Sequence, residues 1–304
     1  MGDLYPEKFQ LLATGGAIGD ASFFFCSGFC LMLGSNTDFF NWYKRRINRI
    51  FPTIFAVAII GLLFLGNNPT LKHVIINGGG WFVQAIFLFY AVFWFVKRYL
   101  SNKMWVAFAI NSTLCLIWYL LFWDKSVFIL YDGTYLRWPA YFMVMLMGAG
   151  VSYKQLTTQG DIKQINLLWY ICLLLVLLII YYGYQLIWDS YQILKDFQIF
   201  LLPALMGIVY AIYRICSCNC VLRFYQSRYL NWALYGISAC CLEIYLSGGM
   251  SFWIGRNLID LFPLNIFLTF ISIFIIAYCV KVFSNLLSQT FKNENFDWKG
   301  MIKL

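Results

Sequence analysis

The 304-residue chain is too apolar for a water-soluble fold, because hydrophobic residues make up 62% of it and charged residues only 12%. Soluble domains carry roughly 45–50% apolar and about 25% charged residues, and the mean hydropathy of +0.72 fits a protein dissolved in lipid. The net charge of +9 needs no nucleic acid, since membrane topology and anionic headgroups account for an excess of Lys and Arg. We therefore predict an integral membrane protein whose partners include membrane lipids and exclude nucleic acid.

Nine helix-length apolar stretches follow one another along the chain. A bilayer core needs about 20 mainly apolar residues per helix, and continuous rather than alternating runs favour helices over a barrel. We predict an all-α, polytopic bundle of about nine spans that forms one domain over residues 1–304, with a short segment 1–14 before it and a polar tail 285–304 after it. The predicted spans are 15–34, 50–66, 80–96, 104–123, 136–153, 166–187, 198–213, 230–250 and 262–284.

The distribution of basic residues orients this bundle. When the spans alternate, sixteen of the 22 Lys and Arg residues fall on the side of the 35–49 loop. The positive-inside rule places that side in the cytoplasm. The sequence therefore predicts a multi-pass protein of the cell (inner or plasma) membrane, with its N-terminus outside and its C-terminus in the cytoplasm.

The ten cysteines predict neither a disulfide framework nor a metal site. Most lie inside spans, where free Cys acts as a small apolar residue. Cys216, Cys218 and Cys220 fall at the predicted inner face, in a reducing compartment. The only histidine, His73, is predicted on the other side, so no ligand cluster completes this group and we predict no metal.

Asp20 and Ser27 are the first polar candidates at membrane depth. They are seven residues apart and so share one helix face, about two turns from each other. Polar side chains inside a membrane are costly and often functional. The alternative is a packing helix that carries an Asp near the outer interface.

A basic segment at residues 44–52 begins the second span. Arg46 and Arg49 stand at positions i and i+3, so they are neighbours on one helix surface. Their planar guanidinium groups suit phosphate oxygens. The alternative is a cluster that sets topology by gripping lipid headgroups.

Glu243 is the second carboxylate deep in a predicted span. Counted from an inner start near residue 230, it is predicted in the outer half of the membrane, like Asp20. The alternative role is a structural partner for a cation or a backbone gap. Tyr245 follows it by two residues, and Tyr90 ends an aromatic stretch that opens at Trp81, which alone reads as an interfacial anchor.

These segments, in this order, resemble the membrane-bound acyltransferase-3 family. Its members carry a Gly-Val-Asp-like start, Phe-Phe and Ser-Gly-Phe in one helix, then Arg-x-x-Arg with Ile or Leu and Pro, then an aromatic helix and a late helix with Leu-Glu-Ile-Tyr-Leu or a variant. The matching positions here are Gly19-Asp20, Phe24-Phe25, Ser27-Gly28-Phe29, Arg46, Arg49, Ile50, Pro52, Trp81, Tyr90 and Leu242-Glu243-Ile244-Tyr245-Leu246.

The chain also departs from the family pattern. The family's proposed catalytic histidine lies in a first helix, whereas this chain opens on what resembles the second. The late motif has Ser247 where histidine is common, and Ile86 and Phe87 replace a frequent acidic pair. The resemblance therefore leaves two alternatives: a gene model that begins late, or a protein that lacks the family's base and is inactive.

The resemblance implies an enzyme that transfers an acyl group, most simply acetyl from acetyl-CoA or another acyl-CoA, to a hydroxyl of an envelope polysaccharide or lipid-linked sugar. It implies that Arg46 and Arg49 bind the acyl-CoA and that Asp20 and Glu243 orient or assist the base. Ser27, Tyr90 and Tyr245 would contact substrate. The alternatives are a transporter or flippase for a lipid-linked sugar or small anion, and a non-catalytic remnant.

Overall fold

A computed structural model describes most of the chain. It covers residues 16–35, 38–66, 70–125, 136–157, 166–187, 190–258, 261, 264–290 and 297–298. The predicted outside segment 1–14 lies outside the described residues, as does nearly all of the predicted tail after residue 290. The prediction of an all-α fold is confirmed, since every regular element in the described ranges is a helix.

Thirteen α-helices make up the described part of the chain. Two short 3₁₀ turns, Ser101–Lys103 and Gln198–Phe200, adjoin them. The helices are α1 Gly16–Leu33, α2 Phe39–Leu65, α3 Leu71–Asn77, α4 Gly80–Leu100, α5 Met104–Phe122, α6 Arg137–Thr157, α7 Leu167–Ile187, α8 Gln192–Phe197, α9 Leu201–Cys216, α10 Asn219–Tyr225, α11 Arg228–Ala239, α12 Cys241–Leu258 and α13 Leu264–Thr290.

Six stretches in the described ranges are long and apolar enough to cross a membrane, or seven if one bent helix pair counts as a span. The predicted number of about nine is not confirmed. One stretch, Gly80–Phe122, is a run of 43 residues that covers the predicted span 80–96 and all but the last residue of the predicted span 104–123. Helix α6 is not among the six, although a span was predicted there.

Two helices are longer than the sequence suggested. Helix α2 begins at Phe39, capped by the Asp38 side chain, which accepts a hydrogen bond from the Phe40 N–H at 3.1 Å. The basic residues that follow lower the local hydropathy without disfavouring helix, since Lys and Arg are good helix formers. Helix α13 likewise continues to Thr290, so the first residues of the predicted tail belong to the last helix.

The chain forms two compact units, of which the first contains residues 1–5, 37–91 and 225–304. In this unit α2, α12 and α13 pack against one another. Small and polar side chains line the contact, which allows the helices to approach closely. Its fully buried members include Thr53 and Ala56 on α2, Ser247 on α12 and Ala277 on α13.

The second unit contains residues 6–36 and 92–224, and its centre is the contact between α1 and α6. A Cβ atom placed on Gly28 would overlap the backbone carbonyl of Met145, and one placed on Gly148 would overlap that of Phe25. The two backbones therefore touch where a glycine of each helix faces the other. Close approach at small residues is a main source of helix association in lipid.

We predict that Gly148→Ala destabilises the protein although alanine is the better helix former. The new methyl group must push α1 away from α6, and overpacking of this kind costs about 1–3 kcal/mol. The matched control is Gly150→Ala on the same helix, where a Cβ meets nothing within 4 Å. Thermal midpoints of the purified variants in detergent should fall for Gly148→Ala only, and equal midpoints would contradict the contact.

Candidate functional site

The basic segment of α2 presents its two predicted phosphate ligands differently. Arg46 is half-buried, with its guanidinium carbon 5.1 Å from the centre of the Trp42 ring, one helical turn earlier. Its Nε is buried and has no hydrogen-bond partner among the residues that the structure describes. Arg49 is exposed. The Trp42 ring holds the Arg46 guanidinium group in place, and the Nε–H of that group is still available as a donor. Such a group is suited to bind an anion.

Tyr90 belongs to the same part of the first unit. Its ring lies 6.1 Å from that of Trp42, which is 2% exposed. It is also close enough to Arg46 for an electrostatic interaction. The structure thus brings together two residues that the sequence suggested separately, the arginine as a phosphate ligand and the tyrosine as a substrate contact.

Glu243 is a buried carboxylate of the first unit. Its side chain is only 3% exposed. Lys281 Nζ lies 3.2 Å from the Glu243 Oε1 atom, to which it donates a hydrogen bond and with which it forms a salt bridge. The Thr53 hydroxyl donates to the same carboxylate oxygen at 3.3 Å. A buried charge needs such partners, because desolvation otherwise costs several kcal/mol.

Ser284 extends this network by one hydrogen bond. The Thr53 and Ser284 hydroxyl oxygens are 3.1 Å apart. Since Thr53 has one proton and gives it to Glu243, Ser284 must be the donor in this pair. The carboxylate is thereby tied to both α2 and α13, and each of its contacts has a defined direction.

The depth of Glu243 differs from the prediction. Thr53, its partner, follows Arg49 by four residues, which is about 6 Å of helix rise. Glu243 therefore lies near the level of the basic segment rather than half a membrane away. The physical reason is a break at Cys240: α11 is bent by 72° from α12, so its 12 residues advance only about 6 Å along the α12 axis.

Further polar side chains continue from Glu243 along one face of α12. Ser247 and Ser251 follow at intervals of four residues, both are 0% exposed, and neither hydroxyl has a hydrogen-bond partner in the described part of the chain. Tyr245 points elsewhere: it is 38% exposed, and its ring lies 4.3 Å from that of Phe82. Its suggested contact with substrate remains a prediction.

The second unit holds the remaining predicted residues, Asp20 and Ser27. Both are half-buried on α1. Arg137, the first residue of α6, is the charged neighbour of Asp20. The roles proposed for Asp20 and Ser27 remain predictions.

The sequence analysis missed Thr53, Lys281 and Ser284 as partners of Glu243. A signal for one of them was present, because Lys281 is the only charged residue within the predicted span 262–284. It was assigned to topology instead. The two hydroxyl residues carried no such signal, since Ser and Thr are common in membrane helices and hydrogen-bond mostly to their own backbone.

Comparison with known proteins assigns the family. A model described as an acyltransferase domain, that of the acyltransferase-3 family, matches residues 2–284. No curated protein and no solved structure matches the chain significantly. The match covers residues of both units and every candidate residue described above. On this match, the chain belongs to the acyltransferase-3 family.

Proposed function

We propose that this chain transfers an acyl group, acetyl from acetyl-CoA in the simplest case, to a hydroxyl of an envelope polysaccharide or lipid-linked sugar. Membership of the family supports acyl transfer in a membrane. The observation that carries the finer proposal is the neighbourhood of α2 in the first unit. There Arg46 has an N–H donor that no group in the described part of the chain uses, and Thr53, about two helical turns later on α2, donates to the buried carboxylate of Glu243 on α12.

The donor half of the proposal rests on Arg46 and Arg49. Coenzyme A carries several phosphate groups, and guanidinium groups bind phosphate through paired, charge-assisted hydrogen bonds. The Nε of Arg46, which is buried and has no partner within the described ranges, fits such a ligand. The exposed side chain of Arg49 can turn to the same anion from the next turn of the helix.

The transfer itself requires a base and a route for one proton. The acceptor oxygen attacks the thioester carbonyl carbon, the C–S bond breaks, and the proton of the hydroxyl ends on the sulfur of coenzyme A. Carboxylates near the reacting atoms can accept that proton or orient the group that does. Glu243 and Asp20 are the carboxylates that we assign to this task, and Lys281 and Thr53 act on Glu243 as positioning residues.

Arg46→Ala and Arg49→Ala should each weaken acyl-CoA binding by roughly ten- to a hundredfold, since a hydrogen bond to a charged group contributes about 1.5–3 kcal/mol. Titration calorimetry of the purified protein with acetyl-CoA measures this effect. Lys44→Ala is the matched control, because it removes one exposed charge from the same segment and should change binding little. Unchanged binding in both arginine variants would exclude these residues as the donor site.

A double-variant cycle separates the structural role of Glu243 from its catalytic role. Lys281→Met leaves a buried carboxylate without its cation and should cost about 3 kcal/mol of stability. Adding Glu243→Gln removes the unpaired charge and should recover most of that stability. Transfer activity should stay lost in the double variant, and recovery of activity together with stability would show that Glu243 only holds the helices.

Reconstitution tests the reaction as a whole. Proteoliposomes that contain the full chain, radiolabelled acetyl-CoA on one side and glycan acceptors should accumulate label on the acceptor. This result requires that Glu243 or Asp20 takes the place of the family's histidine, and its absence would favour the inactive alternative. Vesicles with the Arg46→Ala/Arg49→Ala variant are the control and should not accumulate label. Movement of a lipid-linked sugar across the bilayer without added acyl donor would instead favour a transporter and overturn the proposal.

A further inference from the structure

One end of the second unit collects basic side chains from several helices. Lys97 Nζ donates to the carbonyl of Leu31 at 2.7 Å and also contacts that of Gly34, which brings the end of α4 to the C-terminus of α1. The Tyr153 hydroxyl donates to Asn102 Oδ1 at 2.7 Å. The C-terminal part of α6 and the 3₁₀ turn Ser101–Lys103 therefore lie at this end as well. We call this region the basic end; its cations are Lys97, Arg98, Lys103, Lys154 and Arg214.

Helices α7 and α9 reach the same end. Gln155, near the C-terminus of α6, donates to the hydroxyl of Tyr213 in the last turn of α9. The Tyr213 ring also lies 5.9 Å from Phe29 of α1. Tyr170, in the first turns of α7, lies 6.4 Å from Tyr210 of α9. The N-terminus of α7 therefore lies beside the C-terminus of α9.

The charges of this unit are separated between its two ends. All of its described carboxylates, Asp20, Asp124 and Asp196, lie at the opposite end, where basic residues accompany them. Lys125, for example, forms a salt bridge with Asp196 at 3.4 Å. Among the described residues, the basic end holds these five cations and no carboxylate, and Arg223 on α10, which begins just after α9 ends, is a sixth, exposed cation beside them. Such a surface attracts anions.

Among the cations of the basic end, Arg214 has its guanidinium group stacked on an aromatic ring. Its guanidinium carbon lies 5.1 Å from the centre of the Tyr170 ring, so the ring fixes the plane of the group. Its Nε is buried and has no hydrogen-bond acceptor in the described part of the chain. Arg98, Lys103 and Lys154 are simply exposed. Of these cations, Arg214 alone combines a guanidinium group of fixed orientation with a buried N–H that has no acceptor among the described residues.

The side chains next to Arg214 mark the boundary between lipid tails and water. Leu168 and Trp169, which precede Tyr170 on α7, are 70% and 62% exposed. Exposed Trp is typical of the headgroup level of a membrane. Farther along α7 the exposed residues are aliphatic, among them Leu175 and Ile179. A molecule bound at Arg214 would therefore have its anionic group at the headgroup level and an apolar helix face below it.

We propose that Arg214, stacked on Tyr170, binds the phosphate of an anionic phospholipid whose acyl chains lie along the exposed face of α7. The planar fork of arginine matches phosphate oxygens better than a lysine would. The remaining cations of the basic end add a field that attracts anionic headgroups from the leaflet. This site lies in the second unit and does not depend on the acyltransfer reaction.

Native mass spectrometry of the full purified chain tests the proposal. After partial delipidation, the protein is offered equal amounts of phosphatidylglycerol and phosphatidylcholine with the same acyl chains. We expect retention of phosphatidylglycerol, and we expect Arg214→Gln to weaken it about tenfold because a charge-assisted contact is lost. Arg98→Gln is the matched control, since it removes one exposed charge from the same end, and it should keep the preference.

Two further measurements separate a lost lipid contact from a folding defect and a bound lipid from a bound nucleotide. Tyr170→Leu keeps every charge but removes the stacked ring, so it should also reduce the preference for phosphatidylglycerol even if Arg214→Gln proves poorly folded. Excess coenzyme A should not displace the lipid; if it does, the phosphate bound here belongs to the nucleotide. Equal retention of both lipids by the unmodified chain, or equal effects of Arg214→Gln and Arg98→Gln, would overturn the proposal.

Discussion

A carboxylate enclosed by membrane helices is stable only where neighbouring side chains supply an opposite charge and fill its hydrogen bonds. Glu243 meets this condition through Lys281 and Thr53, and these contacts join residues of three helices. The requirement fixes more than the carboxylate itself. It sets which faces of α2, α12 and α13 point inward in the first unit, and it places the carboxylate near the level of the basic segment of α2.

This arrangement has a functional consequence. Phosphate binding and proton transfer make opposite demands on a protein, because one needs exposed positive charge and the other a carboxylate shielded from water. In the proposed reaction, helix α2 would serve both demands at different points along its length. Its polar start carries Arg46 and Arg49, and one turn after Arg49 the buried Thr53 hydroxyl reaches Glu243. In this proposal, α2 sets the spacing between the proposed donor site and the carboxylate on α12 that Thr53 contacts.

The second unit is organised by a different interaction. Its central contact between α1 and α6 depends on the absence of side chains at Gly28 and Gly148, which lets two backbones touch. The charged groups of its described residues are confined to its ends, with carboxylates at one and most cations at the other. Van der Waals packing holds such helices together in lipid, so the charges are not needed for the contact between α1 and α6.

The amino-acid sequence by itself indicated that the chain is a membrane protein, that its fold is all-α and where many of its helices lie. Hydropathy located α1 and α7 to within about a residue at each end, because these helices are apolar throughout and a continuous apolar run has one stable form in lipid. The same average over a window could not detect the break at Cys240, since a bent helix pair and a straight span have the same composition. Nor could it separate basic residues that extend a helix, as before Pro52, from those that end one.

For the candidate site, the residue types were readable but their partners were not. Buried carboxylates and paired arginines are rare in membrane segments, so Glu243 and Arg46 stood out in the sequence. Their surroundings were decided by the tertiary structure. Thr53 and Glu243 are 190 residues apart in the chain, and Thr53 and Ser284 are 231 apart. No local pattern encodes such a contact, because it exists only once distant helices have packed and excluded both lipid and water from the space between them.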